Sequence, residues 1–237
     1  MDLGIAGRTA LVTAASKGLG LGTARALGAE GCNVAVNARD ARRLDSALGT
    51  IPGPTVPLPG DVTDPGEPAR LVAATVERFG ALDILIANAG GPPPARALEL
   101  DDDAIRAAVE ANLLASIRLV RAVRPHMRAA GWGRIVLIAS YGVKQPIPDL
   151  AASNIARTGL WAWAKTAAAD LIAEGITLNL LCPGPHATDR IRELGHTGRL
   201  GDPDDFGRIA AFVCSASAGF LSGAALTVDG AATLGLL

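Results

Sequence analysis

A glycine-rich turn follows the first apolar run of this chain: Thr13-Ala14-Ala15-Ser16-Lys17-Gly18-Leu19-Gly20-Leu21-Gly22. A helix that begins there offers free N–H groups and the positive end of its dipole, a combination that suits phosphate. Glycine lets the backbone approach such a group closely. Thr13, Ser16, Lys17, Gly18, Leu19 and Gly20 are therefore candidate contacts for the pyrophosphate of a dinucleotide. The strict G-x-G-x-x-G spacing is not met. A second position tests the idea independently. Roughly 20 residues on from such a turn, an acidic side chain commonly reads the ribose 2′ position. The sequence there is Asn37-Ala38-Arg39-Asp40. Ala38 carries no acid, whereas Arg39 can pair with a 2′-phosphate, and Lys17 can add a second positive charge. The cofactor expected is NADP(H).

The rest of the chain supplies a scaffold for that turn. Apolar runs lie at Ala10–Thr13, Val34–Val36, Ile84–Ile86, Ile135–Ile138, Ile176–Leu181 and Ala225–Val228. Alanine-rich helical stretches lie between them, at Leu19–Glu30, Ala69–Phe79, Asp103–Ala130, Ala151–Glu174 and Asp204–Ser215. Continuous apolar strands alternating with helices give an α/β parallel sheet covered on both faces, in one Rossmann-type domain over residues 1–237. The Pro/Gly clusters at Ile51–Gly60, Gly90–Pro94 and Pro183–Pro185 read as loops. Hydrophobic residues make up 49% of the 237 residues, enough for a large core. Lys+Arg 22 against Asp+Glu 23 leaves no basic face for nucleic acid. No stretch approaches the roughly 20 apolar residues that span a bilayer, and no signal peptide is read at the start. Cys32, Cys182 and Cys214 are scattered and odd in number, so they read as buried thiols of a cytoplasmic protein, with no metal site.

These residues together resemble the classical short-chain dehydrogenase/reductase family, in particular its 3-oxoacyl-ACP-reductase-like members. Thr13, Gly18 and Gly20 match the family's T-G-x-x-x-G-x-G turn, with Ala14 standing where the family usually has glycine. Asp61-Val62 resembles the segment that meets the adenine ring, and Asn88-Ala89-Gly90 the N-A-G motif after the fourth strand. Asn112 matches the catalytic-relay asparagine. Pro183-Gly184 and Thr188 resemble the element that contacts the nicotinamide end, and Val228-Asp229-Gly230 the closing V-D-G. The resemblance spans essentially the whole chain. It implies a doubly wound sheet of about seven strands and an NADP(H)-dependent reduction of a carbonyl or oxidation of an alcohol.

The resemblance fails at the catalytic positions. The family places a tyrosine thirteen residues after its serine and a lysine four beyond that. Ser140 matches the serine, but Ser153 and Arg157 occupy the other two positions. Spacing of i, i+4 still puts Ser153 and Arg157 on one helical face. In the family a phenol, its pKa lowered from near 10 by an ammonium, donates a proton as hydride arrives. A serine is a far weaker acid, and Arg157 stays protonated; it can hold ribose hydroxyls or polarise an oxyanion. Tyr141, Lys144 and His186 are the candidate replacement acids. Only nine residues, 189–197, separate Thr188 from Gly198, a short lid in which Arg190 and Arg192 could meet an anionic substrate.

Trp161 and Trp163 lie on the stretch that pairs with a second subunit in the family, so a homodimer or homotetramer through 151–174 is expected. The substrate is a small molecule. Two other readings stand beside the oxidoreductase: a non-redox lyase, isomerase or cyclase on the same fold, and a catalytically inactive NADP(H)-binding protein.

Overall fold

The computed structural model describes residues 1–235. Seven strands form one sheet in the order β3-β2-β1-β4-β5-β6-β7. They are β1 (Thr9–Val12), β2 (Asn33–Ala38), β3 (Thr55–Pro59), β4 (Ile84–Ala87), β5 (Gly133–Ile138), β6 (Ile176–Pro183) and β7 (Ala225–Val228). Every pairing is parallel. A parallel sheet needs a crossover after each strand, and the helices supply it. They are α1 (Gly18–Ala29), α2 (Ala41–Leu48), α3 (Glu67–Phe79), α4 (Asp102–Val109), α5 (Ala115–Ala130), α6 (Ala151–Ile172), α7 (Asp189–Glu193) and α8 (Pro203–Val213). Among the described residues, no helix is long and apolar enough to cross a membrane.

The core lies in two layers. On one face Leu71 and Val72 of α3, Leu119 and Val123 of α5, and Leu160 and Ala164 of α6 pack on the sheet. On the other, Ala24 and Leu27 of α1, Leu44 of α2, and Phe206 and Ala210 of α8 do so. All three cysteines are buried free thiols.

Two expected elements differ. Residues 51–60 hold the edge strand β3, paired with β2 from Val34↔Thr55 to Ala38↔Pro59. Pro57 and Pro59 disguise it in sequence, yet an edge strand tolerates proline because one side of it needs no ladder bond. The single helix expected over 103–130 is broken by a π-helical turn at Glu110–Leu114, between α4 and α5. Such turns leave backbone groups out of register with the helix and are frequent at functional sites.

The order reverses between β1 and β4: β2 and β3 run outward on one side, β4 to β7 on the other. Doubly wound sheets open a crevice at the C-terminal ends of the strands flanking such a point. The glycine-rich turn leaves β1 there, and Asn88 leaves β4.

Candidate active site

The crevice is a cleft of about 1160 Å³. One end is made by the turn after β1. Gly18 has φ +59°, and a Cβ on Gly20 would fall 2.6 Å from the Ala14 carbonyl oxygen and 2.9 Å from Asn88 Nδ2. A side chain at either position would displace the turn. Ala14 has φ 47°, a left-handed conformation that costs a non-glycine residue about 1–2 kcal/mol. Asn88 braces it: Nδ2 donates to the Ala14 carbonyl (3.2 Å), while Thr13 Oγ1 donates to the Asn88 carbonyl (2.7 Å) and accepts from its N–H (2.9 Å).

The N-terminus of α1 is left open. Asp40, Asp101 and Asp202 cap α2, α4 and α8 with side-chain hydrogen bonds. Lys17, the N-cap of α1, makes no such bond, and no acid lies in the first turn. Its free N–H groups therefore face the cleft beside Ser16, Lys17 and Leu19, which line it. Arg39 and Arg43 line the same end. Arg39 is largely exposed and lies 3.7 Å from Asp61. Partial burial opposes ionisation of Asp61, but hydrogen bonds from Thr63 and the Arg39 charge outweigh it and hold the carboxyl below the ordinary range. Val62, Ala89, Gly90, Pro183, Gly184 and Thr188 complete this lining. Arg43, three residues past the Asp40 cap, was not expected; its helical spacing from Asp40 is the signal that points to it. Asn37 was missed as well; its amide donates to the Leu58 and Gly60 carbonyls and fixes the floor between β2 and β3.

At the other end Ser140, Tyr141, Ser153, Arg157 and Asn112 meet around the cleft. Ser140 Oγ accepts from the Gly142 N–H (3.0 Å), leaving its own hydrogen free to donate. Arg157 is buried, and Nη1 donates to the Ile138 and Ala139 carbonyls at 2.9 and 2.8 Å; Nη2 reaches the Ala89 carbonyl at 3.5 Å. The guanidinium thus ties α6 to the ends of β5 and β4. Burial pushes its pKa down to about 10, against a smaller opposing influence of Cys182 and with help from the like charge of Arg190. Asn112, 3% exposed in the π turn, has neither side-chain polar atom bonded among the described residues. Buried amides are nearly always paired, so an unpaired one in a cleft wall marks a place for a polar guest.

The three candidate acids fare differently. Burial, with the nearby Asp229, raises the pKa of Tyr141, opposite to what a proton donor needs. Lys144 does not line the cleft; its ammonium sits 4.8 Å from the Trp161 ring, a cation–π contact that draws it away. His186 lines the cleft but is buried edge-on against Phe206, and its Nδ1 lies 3.0 Å from the Gly184 carbonyl. A carbonyl only accepts, so Nδ1 carries the hydrogen in this contact. Trp161 and Trp163 are part-buried against the monomer's own core and keep part of their surface exposed on α6. His126 and His196 are exposed.

The sequence profile described as enoyl-(acyl carrier protein) reductase matches residues 13–233. This chain belongs to the short-chain dehydrogenase/reductase family. Dehydrogenase/reductase SDR family member 4 of Homo sapiens is 30% identical over 243 residues, covering 95% of this chain and 87% of the human protein. Among solved structures, L-sorbose reductase from Gluconobacter frateurii, complexed with NADPH and L-sorbose, aligns at 28% identity with a TM-score of 0.90, over 97% of this chain and 98% of that one. A 7α-hydroxysteroid dehydrogenase complexed with NADH and 7-oxo glycochenodeoxycholic acid aligns at 27% identity with a TM-score of 0.92, over 100% and 98%. This short-chain dehydrogenase/reductase shares their architecture while carrying Ser153 and Arg157 on α6.

Proposed function

We propose that the chain is an NADP(H)-dependent oxidoreductase that interconverts a carbonyl and an alcohol of a small molecule, working as one domain. The observation that carries this reading is the polarity of the cleft. An uncapped helix N-terminus with Lys17, Arg39 and Arg43 stands at one end, and hydroxyl donors with a buried guanidinium stand at the other.

The residues present fit the cofactor. The α1 N–H groups, with Ser16, Gly18, Leu19 and Gly20, would hold the pyrophosphate. Arg39, Arg43 and Lys17 would hold a 2′-phosphate, with Asp61 and Val62 at the adenine. Asn88, Ala89, Gly90, Pro183, Gly184 and Thr188 would line the nicotinamide side, and Arg157 the ribose. Thr13 acts through Asn88. When bound, the cofactor supplies or accepts hydride at its nicotinamide ring. Ser140 and Ser153 would offer hydroxyl donors to the substrate oxygen, and the positive charge of Arg157 and Arg190 would favour an alkoxide there. Arg157 holds its proton at neutral pH, and Tyr141 holds its own too tightly. The proton then comes from solvent past the short lid, whose helix α7 has five residues. Without a positioned acid, the reaction forgoes about 10²–10⁴-fold in rate.

A non-redox lyase, isomerase or cyclase is the second reading, favoured by the same missing relay and by two guanidinium groups suited to an enolate. A homo-oligomer through α6 stays part of the proposal, supported by the half-exposed Ile155 beside the part-exposed Trp161 and Trp163. The test is to follow nicotinamide absorbance with NADPH against ketones, and with NADP⁺ against hydroxy compounds. Slow, saturable turnover is expected. Tight NADPH binding with no turnover across a broad panel contradicts hydride transfer and favours the second reading or an inactive binder.

A further inference from the structure

The substrate end of the cleft holds two guanidinium groups, Arg157 and Arg190, and among the described residues no carboxylate forms an ion pair with either. Among the described residues, eleven arginines, including Arg39, Arg43 and Arg192, stand within 4.0 Å of an acidic side chain. Arg157 and Arg190 are not among them. The acids near this end are committed elsewhere. Asp189 pairs with Lys17 at 3.0 Å and with Arg192 at 2.9 Å. Asp229 accepts from the Ala231 and Thr233 N–H groups. Asp149, on the rim, faces Arg96 at 3.9 Å.

Arg190 is also held in place. It belongs to α7, the lid helix, yet its Nη2 crosses the cleft to donate to the Pro92 carbonyl at 2.6 Å. The guanidinium lies beside Gly91, with Nε and Nη2 3.5 Å from where a Cβ would stand. One hydrogen bond leaves most of its five N–H donors unused, in a planar fork that matches a carboxylate. Apolar residues line the cleft as well, among them Pro93, Leu100, Ala107, Ala111 and Leu150. Ser153, shorter by a ring than tyrosine, leaves further room between them and Ser140.

We infer that the substrate is a carboxylic acid with a compact apolar body, an oxo acid or hydroxy acid, whose carboxylate is received by Arg190 with support from the charge of Arg157. The inference rests on the oxidoreductase reading for which end of the cleft takes the substrate. Positive charge there also restores part of what the missing ammonium supplies elsewhere in the family, since it stabilises negative charge gathering on the adjacent substrate oxygen.

The test is a calorimetric titration of the chain, with and without NADP⁺, using pentanoate and benzoate against pentanamide and benzamide. The carboxylates are expected to bind saturably and at least tenfold more tightly than the matched amides. Arg190→Ala should weaken the carboxylates roughly 10–150-fold, as for loss of a charged hydrogen-bond partner, and leave the amides unchanged. Arg190→Gln keeps a donor for the Pro92 carbonyl and should lose the preference equally, which separates charge from lid structure. Arg192→Ala, on the same helix, should change neither. Equal binding of acids and amides, no saturable binding of either, or equal losses in the Arg192 variant would overturn the inference. The titration needs no turnover, so failure to oxidise NADPH counts against the oxidoreductase reading alone.

Discussion

A Ser153→Tyr, Arg157→Lys double variant should reduce ketones with NADPH about 10²–10⁴ times faster than the parent chain, the usual worth of a positioned general acid. Position 153 already lines the cleft from α6, one helical turn before 157. A phenol there would reach the space that the serine leaves open. Its proton must become available near neutral pH, which requires a neighbouring cation that lowers the phenol pKa and exchanges protons itself. Lysine does both, whereas Arg157 keeps its proton even with its pKa at about 10. The single Ser153→Tyr variant should therefore gain less than the double variant. The gain should also bring a pH-dependent limb to kcat that the parent lacks. Stopped assays on one ketone, normalised to folded protein, measure this. A parent already as fast as the double variant would mean that another group donates the proton.

Arg157→Met should destabilise the fold by about 2–4 kcal/mol. Methionine matches the length of the stem and removes only the donors. Two short bonds to the Ile138 and Ala139 carbonyls are lost in a buried setting, and hydrogen bonds to charged groups are worth about 1.5–3 kcal/mol each. Removing the desolvated charge returns part of that sum. For a chain of this size each kcal/mol moves Tm by roughly 2–4 °C, so a fall of roughly 4–16 °C is expected in a thermal melt. Arg157→Lys should fall between, because one ammonium cannot span acceptors on two strands. An unchanged Tm would show that the guanidinium braces nothing, and that its place on α6 serves the ligand alone.

This double duty explains what was legible in the sequence and what was not. Backbone-determined features were legible. Thr13, Gly18, Gly20 and Asn88 occupy positions that the chain's course around the crevice dictates, and apolar runs such as Ile135–Ile138 can only be buried strands. Features set by competition between side chains were not. β3 escaped because Pro57 and Pro59 read as turn formers until an edge position is known. The π turn escaped because Asn112 sits in an unbroken helical pattern. Lys144 lies in a loop beside the site, yet the face of Trp161 draws its charge away. Arg190 had no claim over Arg192 from spacing alone; only the 2.6 Å bond to Pro92 separates the group inside the cleft from the one paired outside it. Arg157 could be assigned a ligand role from sequence, but its three carbonyl partners come from segments distant in the chain.

The central claim is that the cleft is built for a dinucleotide with a 2′-phosphate. Equilibrium titration of the chain with NADPH and with NADH, read by cofactor fluorescence, tests it directly. NADPH should bind at least tenfold more tightly than NADH, and Arg39→Ala should erase most of that difference without weakening NADH, as expected for a charged contact made to the phosphate alone. Equal affinity for the two cofactors in the parent chain would contradict the assignment to NADP(H), and failure to bind either would contradict the account of the cleft itself.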